Sequence, residues 1–184
     1  MTPQPAKPRV LIVDDHPANR RAFETLLETD YTVSVAASGY QALELTLRDE
    51  YAVILLDVKM PGMDGFEVAE MLRKRQRTRY TPIVFISAFD QTVFQMKKGY
   101  IVGATDFIFS PVDEELLKFK VANYVHTYLR NEGLRIQIRD LELTVAALRE
   151  EIRTHAADSA LQSRLRNFET IISGFKRQME SAAP

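Results

Sequence analysis

One stretch of the sequence, VILLDVKMPGMDG at residues 53–65, joins an apolar run to an acidic side chain and a turn. The run is far shorter than the roughly 20 residues of a membrane-spanning helix, and its composition is typical of a strand buried on both faces. Asp57 ends the run, at the carboxyl end of the strand, where open α/β sheets place their ligand crevice. Two interpretations follow: Asp57 binds a ligand, or it only caps the turn at Pro61-Gly62.

Strand and helix patterns alternate on both sides of this stretch. Between residues 9 and 129, five short strand-like segments are each followed by apolar residues at helical spacing. Such alternation predicts a parallel sheet with helices on both faces and right-handed crossovers. Within this pattern Pro17 is expected to start a helix, Asp64 to cap the helix after Asp57, and Gly99 to end a later helix.

Polar side chains stand at the carboxyl ends of the predicted strands. They are Asp14, Asp15, Asp57, Ser87 and Ser110. Because these ends share one edge of a parallel sheet, the side chains are expected to converge there. Clustered carboxylates repel one another, and either protonation or a cation offsets the cost. Oxygen ligands of this kind suit Mg²⁺, and a carboxylate beside a divalent ion can attack phosphorus. The alternative is an acid cluster that binds nothing.

The composition narrows the class of protein. The chain has 184 residues, 46% of them apolar and 27% charged, with a formal net charge of −1. These values are ordinary for a globular protein. The net charge is too small and of the wrong sign to attract nucleic acid or an anionic membrane. There is no cysteine, which excludes disulfides and thiolate metal sites. The proline-containing segment 1–8 is expected to be a disordered tail rather than a signal peptide, so a cytoplasmic protein is predicted.

A basic cluster at residues 73–79 follows the helix after Asp57. It has two interpretations: a surface for a phosphate backbone, or a solvated helix end whose cations favour the negative pole of the helix dipole. The second is preferred.

The last third of the chain has coiled-coil character. Apolar residues recur at alternating spacings of four and three: Leu134, Ile138, Leu141, Val145, Leu148 and Ile152. The next seam position is His155, which is expected to be a polar seam or turn residue. A second run is shifted in phase by one residue: Leu161, Leu165, Phe168, Ile172, Phe175 and Met179. The shift predicts a break or hairpin near 154–159, and Asn131–Gly133 is a further place where the helix could be interrupted.

This helical extension is expected to bind protein rather than DNA. Residues 131–184 carry eight basic and eight acidic side chains, with no helix-turn-helix signature. An apolar seam without a partner would be exposed to water, so a homodimer through these helices is predicted.

The motifs of residues 9–129 resemble the receiver domain of two-component response regulators. The matching elements are Asp14-Asp15, Asp57–Gly65, Ser87-Ala88 and Gly103–Phe107. The resemblance implies a flavodoxin-like (βα)5 fold with strand order 2-1-3-4-5. It also implies that a histidine kinase or phosphotransfer protein donates a phosphoryl group to Asp57.

The resemblance further implies roles for the other site residues. Asp15 and Asp57 would bind Mg²⁺ directly, Asp14 would act through water, and the backbone carbonyl of Lys59 would be a further ligand. Ser87 and Phe107 match the hydroxyl and the aromatic ring that rearrange together on phosphorylation.

Ser110 departs from the family pattern. Receiver domains have a lysine at this position, just before a cis-proline, and here Ser110 precedes Pro111; the sequence leaves the isomer of that bond open. Serine is too short to replace a mobile cation. We therefore expect a stronger demand for Mg²⁺, with slow phosphorylation or weak coupling to Phe107.

Two functions are compatible with these features. The first is a response regulator, with a receiver at 9–129 and a dimerising extension at 130–184, which modifies itself and is not an enzyme that turns over a substrate. The second is a degenerate receiver that acts as a constitutive dimeric scaffold, because Ser110 replaces the lysine.

Overall fold

The computed structural model describes residues 7–88, 93–154 and 159–181; residues 1–6 of the expected tail, and His155, lie outside them. The strands are β1 (Arg9–Val13), β2 (Thr32–Ala36), β3 (Val53–Asp57), β4 (Ile83–Ala88) and β5 (Asp106–Ser110). The helices are α1 (Pro17–Leu27), α2 (Gly39–Arg48), α3 (Gly65–Lys74), α4 (Val93–Ile101), α5 (Glu114–Thr154) and α6 (Ser159–Ser181).

The strands form one parallel sheet in the order β2-β1-β3-β4-β5. The order confirms the doubly wound, flavodoxin-like α/β fold that the sequence predicts. β1 lies between β2 and β3, so that Val13 is aligned with Ala36 on one side and with Leu56 on the other.

Both faces of the sheet are covered, which explains the continuous apolar strands. On one face Leu11 and Leu56 belong to a core that includes residues of α2 and α3. On the other face Val10 and Leu55 belong to a core with α1 and the first turns of α5. Neighbouring residues of one strand enter opposite cores, so every position from Val53 to Leu56 is fully buried.

Three arginines of the basic cluster at 73–79 donate to backbone carbonyls. Arg73 donates to the carbonyls of Gly103 and Thr81, and burial lowers the pKa of Arg73 to about 10. Arg77 donates to the carbonyl of Leu47, near the end of α2. These guanidinium groups satisfy acceptors that helix ends and loops would otherwise leave unpaired.

The expected helix end at Gly99 is wrong, because α4 continues to Ile101. A Cβ atom at Gly99 would lie 2.3 Å from Cζ of Phe107. The glycine therefore permits close packing of α4 on β5. The chain turns instead at Gly103, which has a φ of +93°.

The contacts divide the chain into two compact units, with the boundary between Tyr128 and Leu129 inside α5. The possible interruption at Asn131–Gly133 does not occur, since α5 runs unbroken to Thr154. One unfavourable glycine costs about 1 kcal/mol, which is too little to end a long helix.

In the second unit α5 and α6 run antiparallel. Arg149 of α5 pairs with Glu169 of α6 at 2.6 Å, and Glu142 pairs with Lys176. Ile138, Val145 and Ile172 are buried. The seam of α5 therefore has a partner within the same chain, which the hairpin alternative near 154–159 allows but which the sequence argument for dimerisation did not use.

Candidate functional site

Three strands bring the predicted polar residues to one edge of the sheet. Val13 of β1 is aligned with Leu56 of β3, so the next residues, Asp14 and Asp57, follow the two strands side by side. Asp57 is aligned with Ile86 of β4, and Ser87 comes directly after Ile86. The parallel register alone thus gathers these side chains at the carboxyl edge.

Asp14 is held in place by its neighbours and is only 2% exposed. Its carboxylate accepts the backbone N–H of His16 at 2.8 Å and the side-chain amide of Asn19 at 2.9 Å. Arg20 donates to the backbone carbonyl of Asp14 at 2.6 Å. Asp15 is half-buried, and its Oδ1 lies 2.9 Å from Nδ1 of His16. The acid pair is therefore ordered by the first turn of α1.

The carboxyl of Asp57 binds its proton more tightly than an ordinary aspartate. Burial and the nearby charge of Asp14 raise the pKa of Asp57 to about 6, with a smaller contribution from Asp15. The backbone N–H groups of Lys59 and Val58 donate to the carboxylate and partly offset the increase. Uncompensated acids of this kind favour a bound cation.

The loop after β3 fixes the position of Asp57. Asp64 caps α3 in a capping box, since its side chain accepts from Glu67 N–H and the Glu67 side chain accepts from Asp64 N–H. The N–H of Gly65 donates to the carbonyl of Val58 at 3.0 Å. A Cβ atom at Gly65 would lie 2.2 Å from the backbone oxygen of Asp57. The absence of a side chain at Gly65 therefore lets α3 start against the end of β3.

Ser87 and Phe107 are both buried, at 3% and 6% exposure. The ring of Phe107 packs among aromatic rings, with centroids 5.4 Å from Phe85 and 5.3 Å from Tyr100. The Phe107 side chain thus points into the core, where it packs between Phe85 of β4 and Gly99 of α4. Coupled movement of Ser87 and Phe107 stays a prediction.

Ser110 ends β5, is exposed, and is joined to Pro111 by a cis peptide bond. Two lysines of the neighbouring helices are engaged elsewhere. Lys98 lies over the ring of Phe66, 4.6 Å from its centroid, and Lys120 forms an ion pair with Asp106. Neither is among the groups that shift the pKa of Asp57.

The donor set suits a hard divalent cation. Asp14 and Asp15 offer carboxylate oxygens, and Asp57 faces them with a raised pKa. Among the described residues, the ligand atoms that all lie within 4.8 Å of one another belong to Asp14, Asp15 and His16. Asp57 is not in that group, and ligation by the Lys59 carbonyl stays a prediction.

The fold and this edge define a flavodoxin-like α/β domain with acidic side chains at the carboxyl ends of its strands, and comparison with known proteins gives the family. A family model described as the response regulator receiver domain matches residues 10–122. The chain belongs to the response regulator receiver family.

Curated relatives carry the same domain within longer chains. Response regulator PleD of Caulobacter vibrioides is 41% identical over 128 residues, which is 69% of this chain and 28% of PleD. Sensor histidine kinase GacS of Pseudomonas protegens is 35% identical over 130 residues, covering 68% of this chain and 14% of GacS. The chain therefore spans less than a third of either relative.

Solved structures give the same fold. The chemotaxis protein CheY4 of Vibrio cholerae matches with a TM-score of 0.62 at 31% identity, over 65% of this chain and 99% of CheY4. The receiver domain of a Pseudomonas aeruginosa sensor histidine kinase matches with a TM-score of 0.61 at 25% identity, over 66% of this chain and 99% of that domain. That domain was crystallised with a magnesium ion coordinated in its active-site cleft.

The sequence argument missed three residues that the structure places at the site: His16, Asn19 and Arg20. Their spacing after Asp14 contains a signal, because the residue two positions on is the N-cap of α1 and those five and six positions on lie in its first turn. No helix in the described parts of the chain is long and apolar enough to span a membrane.

Proposed function

We propose that the protein is a two-component response regulator in which Asp57 accepts a phosphoryl group from a histidine kinase or phosphotransfer protein. One observation carries the proposal: Asp57 ends β3 beside the acid pair that follows β1, with its pKa raised to about 6. Similarity to a sensor histidine kinase supports a kinase partner. We further propose a cytoplasmic location, in keeping with such a partner.

The proposed chemistry is transfer of a phosphoryl group from an imidazole nitrogen of the donor to the carboxylate of Asp57. A carboxylate oxygen of Asp57 attacks phosphorus, a P–O bond to Asp57 forms, and the bond from phosphorus to the donor's imidazole nitrogen breaks with its electron pair. Mg²⁺, held by Asp14, Asp15 and Asp57, would neutralise charge on the phosphoryl oxygens. Ser87 would donate its hydroxyl to one of those oxygens.

Phosphoryl uptake from acetyl phosphate with Mg²⁺ tests this function. Intact-protein mass is measured for the parent chain, for Asp57→Ala and for Ser110→Lys. A mass gain in the parent that disappears in Asp57→Ala is the expected result. It would establish a working receiver despite Ser110, and a faster gain in Ser110→Lys would measure what the missing lysine costs.

The alternative function is a constitutive dimeric scaffold, and the exposed Ser110 favours it. No gain in the parent but a gain in Ser110→Lys would select this alternative, because the site would be intact and silenced by one side chain. As a response regulator the chain would modify only itself, and as a scaffold it would carry out no chemistry, so we propose that it is not an enzyme with a separate substrate. Any output activity would belong to another chain or segment.

We also propose that the extension dimerises and transmits the signal. The antiparallel pairing of α5 and α6 leaves apolar side chains exposed, namely Ile136, Leu143, Ile171 and Phe175. Ile136 and Leu143 are one heptad apart, so they lie on the same face of α5. A symmetric contact between two copies would remove them from water.

Analytical ultracentrifugation tests the dimer. The parent is expected to sediment as a dimer, Ile136→Lys with Leu143→Lys as a monomer, and the exposed-site control Thr144→Lys as the parent does. A parent that stays monomeric at every concentration, with or without phosphorylation, would contradict dimerisation without touching the receiver function.

A further inference from the structure

Lys59 is the lysine nearest to Asp57 along the chain. Its backbone N–H donates to the Asp57 carboxylate, and the residue is exposed. We propose that the ammonium group of Lys59 binds a terminal oxygen of the phosphoryl group on Asp57 and so supplies the positive charge that Ser110 cannot. The proposal rests on the proposed function, because it names a further residue for the same reaction.

The phosphoryl group needs one more partner than those already named. It carries about two negative charges and has three strong acceptor oxygens. With one oxygen assigned to Mg²⁺ and a second to the Ser87 hydroxyl, the third is left without a partner. Asp14 and Asp15 stand at the same edge of the sheet and add negative charge. A cationic donor to the third oxygen therefore stabilises the bound group and the transfer that forms it.

Lys59 has no competing partner, whereas two other cations of the surrounding helices do. Arg20 of α1 donates to the backbone carbonyl of Asp14 at 2.6 Å. Lys98 of α4 lies 4.6 Å from the centroid of the Phe66 ring. Among the residues that the structure describes, none forms an ion pair or a side-chain hydrogen bond with Lys59. Its ammonium group can therefore bind a phosphoryl oxygen without breaking an existing contact.

The Lys59 side chain is long enough to reach the phosphoryl group. Because the Lys59 N–H is bonded to the Asp57 carboxylate, the Lys59 Cα lies about 4 Å from a carboxylate oxygen. A lysine side chain extends about 6 Å from its Cα along a flexible stem. The backbone on both sides is held in place, since Val58 and Met60 are buried. Rotation of the side chain alone can thus bring Nζ to the third oxygen.

The ammonium group is not engaged with Asp57 before transfer. Lys59 is not among the charged side chains that shift the pKa of Asp57. A phosphoryl group lies beyond the carboxylate oxygen that holds it and carries more negative charge than a carboxylate, so it attracts the ammonium group more strongly. The contact is therefore one that forms as the phosphoryl group arrives.

The rate of phosphoryl uptake from acetyl phosphate with Mg²⁺, followed by intact-protein mass, tests the proposal in two backgrounds. In the parent, Lys59→Met removes the charge at nearly constant length and is expected to slow uptake about fivefold or more, whereas Lys59→Arg is expected to retain most of the rate. In Ser110→Lys, which supplies a second lysine, Lys59→Met is expected to slow uptake less than about twofold. The matched control is Lys74→Met, at the exposed end of α3, which is expected to leave uptake unchanged.

Binding of beryllium fluoride with Mg²⁺ provides a measurement that needs no transfer, because this tetrahedral anion adds to a carboxylate oxygen as a phosphoryl group does. Titration calorimetry is expected to show an affinity about fivefold or more weaker in Lys59→Met than in the parent. The affinity for Mg²⁺ alone is expected to be unchanged, since the ligand predicted at Lys59 is its backbone carbonyl.

Equal losses of rate for Lys59→Met in the two backgrounds would overturn the proposal, because Lys59 would then act independently of the charge at position 110. An equal loss of Mg²⁺ affinity would also overturn it, because Lys59 would then only position the ion. Parent-like uptake in Lys59→Met, together with no uptake in Asp57→Ala, would overturn this proposal and leave the proposed function standing. A parent without uptake, whose beryllium fluoride affinity falls in Lys59→Met, would count against the proposed function alone. A parent that shows neither uptake nor beryllium fluoride binding would overturn both.

Discussion

Asp57 and Asp106 are partly buried aspartates at the ends of strands in the same sheet, but the pKa values of their carboxyl groups are shifted in opposite directions. Burial and Asp14 raise the pKa of Asp57 to about 6. Burial alone would also raise the pKa of Asp106, but the hydrogen bond from Lys120, the Phe107 N–H and the Tyr124 hydroxyl outweigh it, so that the pKa falls below its ordinary value.

The difference comes from which groups each strand end faces. Asp106 begins β5 and meets a lysine and a tyrosine of α5, which stabilise its charge. Asp57 ends β3 and meets other acids. A carboxylate paired with a cation and hydrogen-bond donors stabilises the fold, whereas a carboxylate surrounded by other carboxylates favours binding of a cation or a proton. The carboxyl edge is therefore the edge of this sheet at which we propose the function to lie.

The largest expected effect is on phosphoryl uptake. Asp57→Asn is expected to abolish the mass gain from acetyl phosphate, because the amide is not a nucleophile toward phosphorus. Asp106→Asn, the matched variant at the other strand end, is expected to retain uptake. Comparable uptake in the two variants would mean that another side chain accepts the phosphoryl group.

Gly65→Ala tests position rather than charge at Asp57. The added Cβ meets backbone at 2.2 Å, so we expect a loss of about 2–3 kcal/mol in the free energy of unfolding. Uptake is expected to fall about tenfold or more, since Asp57 would be displaced. Gly133→Ala is the control: nothing lies within 4 Å of its Cβ, and a gain of about 0.5–1 kcal/mol is expected. Urea unfolding of both variants checks the pair.

Asp106→Asn is expected to cost about 1–2 kcal/mol, because Lys120 and Tyr124 lose a charged partner at a partly exposed position. The lowered pKa of Asp106 means that this contribution is present above about pH 4 and is lost as the pH falls further. Unfolding of parent and variant between pH 7 and pH 3 measures the difference. A gap that stays constant over this range would contradict the charge explanation.

The smallest expected effect has the opposite sign. The raised pKa of Asp57 means that the folded chain holds this proton more tightly than the unfolded chain does. The free energy of unfolding therefore falls as the pH rises from 3.8 to about 6. At pH 7.5, without Mg²⁺, Asp57→Asn is expected to be more stable than the parent by about 1 kcal/mol. Thermal unfolding with and without Mg²⁺ measures the gap, which Mg²⁺ should narrow.

Much of the receiver could be predicted from the sequence, because its information is local. Apolar strands of fixed length, separated by helical patterns, allow few parallel topologies. The acids at the strand ends then follow from the chain direction, as with Asp14 and Asp57. The capping role of Asp64 is equally local, and its capping box with Glu67 confirms it.

Other features depended on contacts between distant residues. Gly99 was expected to end a helix, yet it lies inside α4, where Phe107 of β5 occupies the space that a side chain would take. The seam of α5 was expected to need a second copy, yet α6 covers part of it. Spacing shows that a surface is apolar but not what covers it.

The sequence by itself determined the order of elements, the parallel sheet and the acids at its carboxyl edge. Only the tertiary structure decided the electrostatic state of each acid, the position of His16 beside Asp15 and the intrachain partner of the α5 seam. The physical reason is that a residue's type and spacing determine which hydrogen bonds its side chain can form and which apolar surface it can bury. Burial and the charge of neighbours, which set the pKa of Asp57 apart from that of Asp106, exist only once the chain has folded.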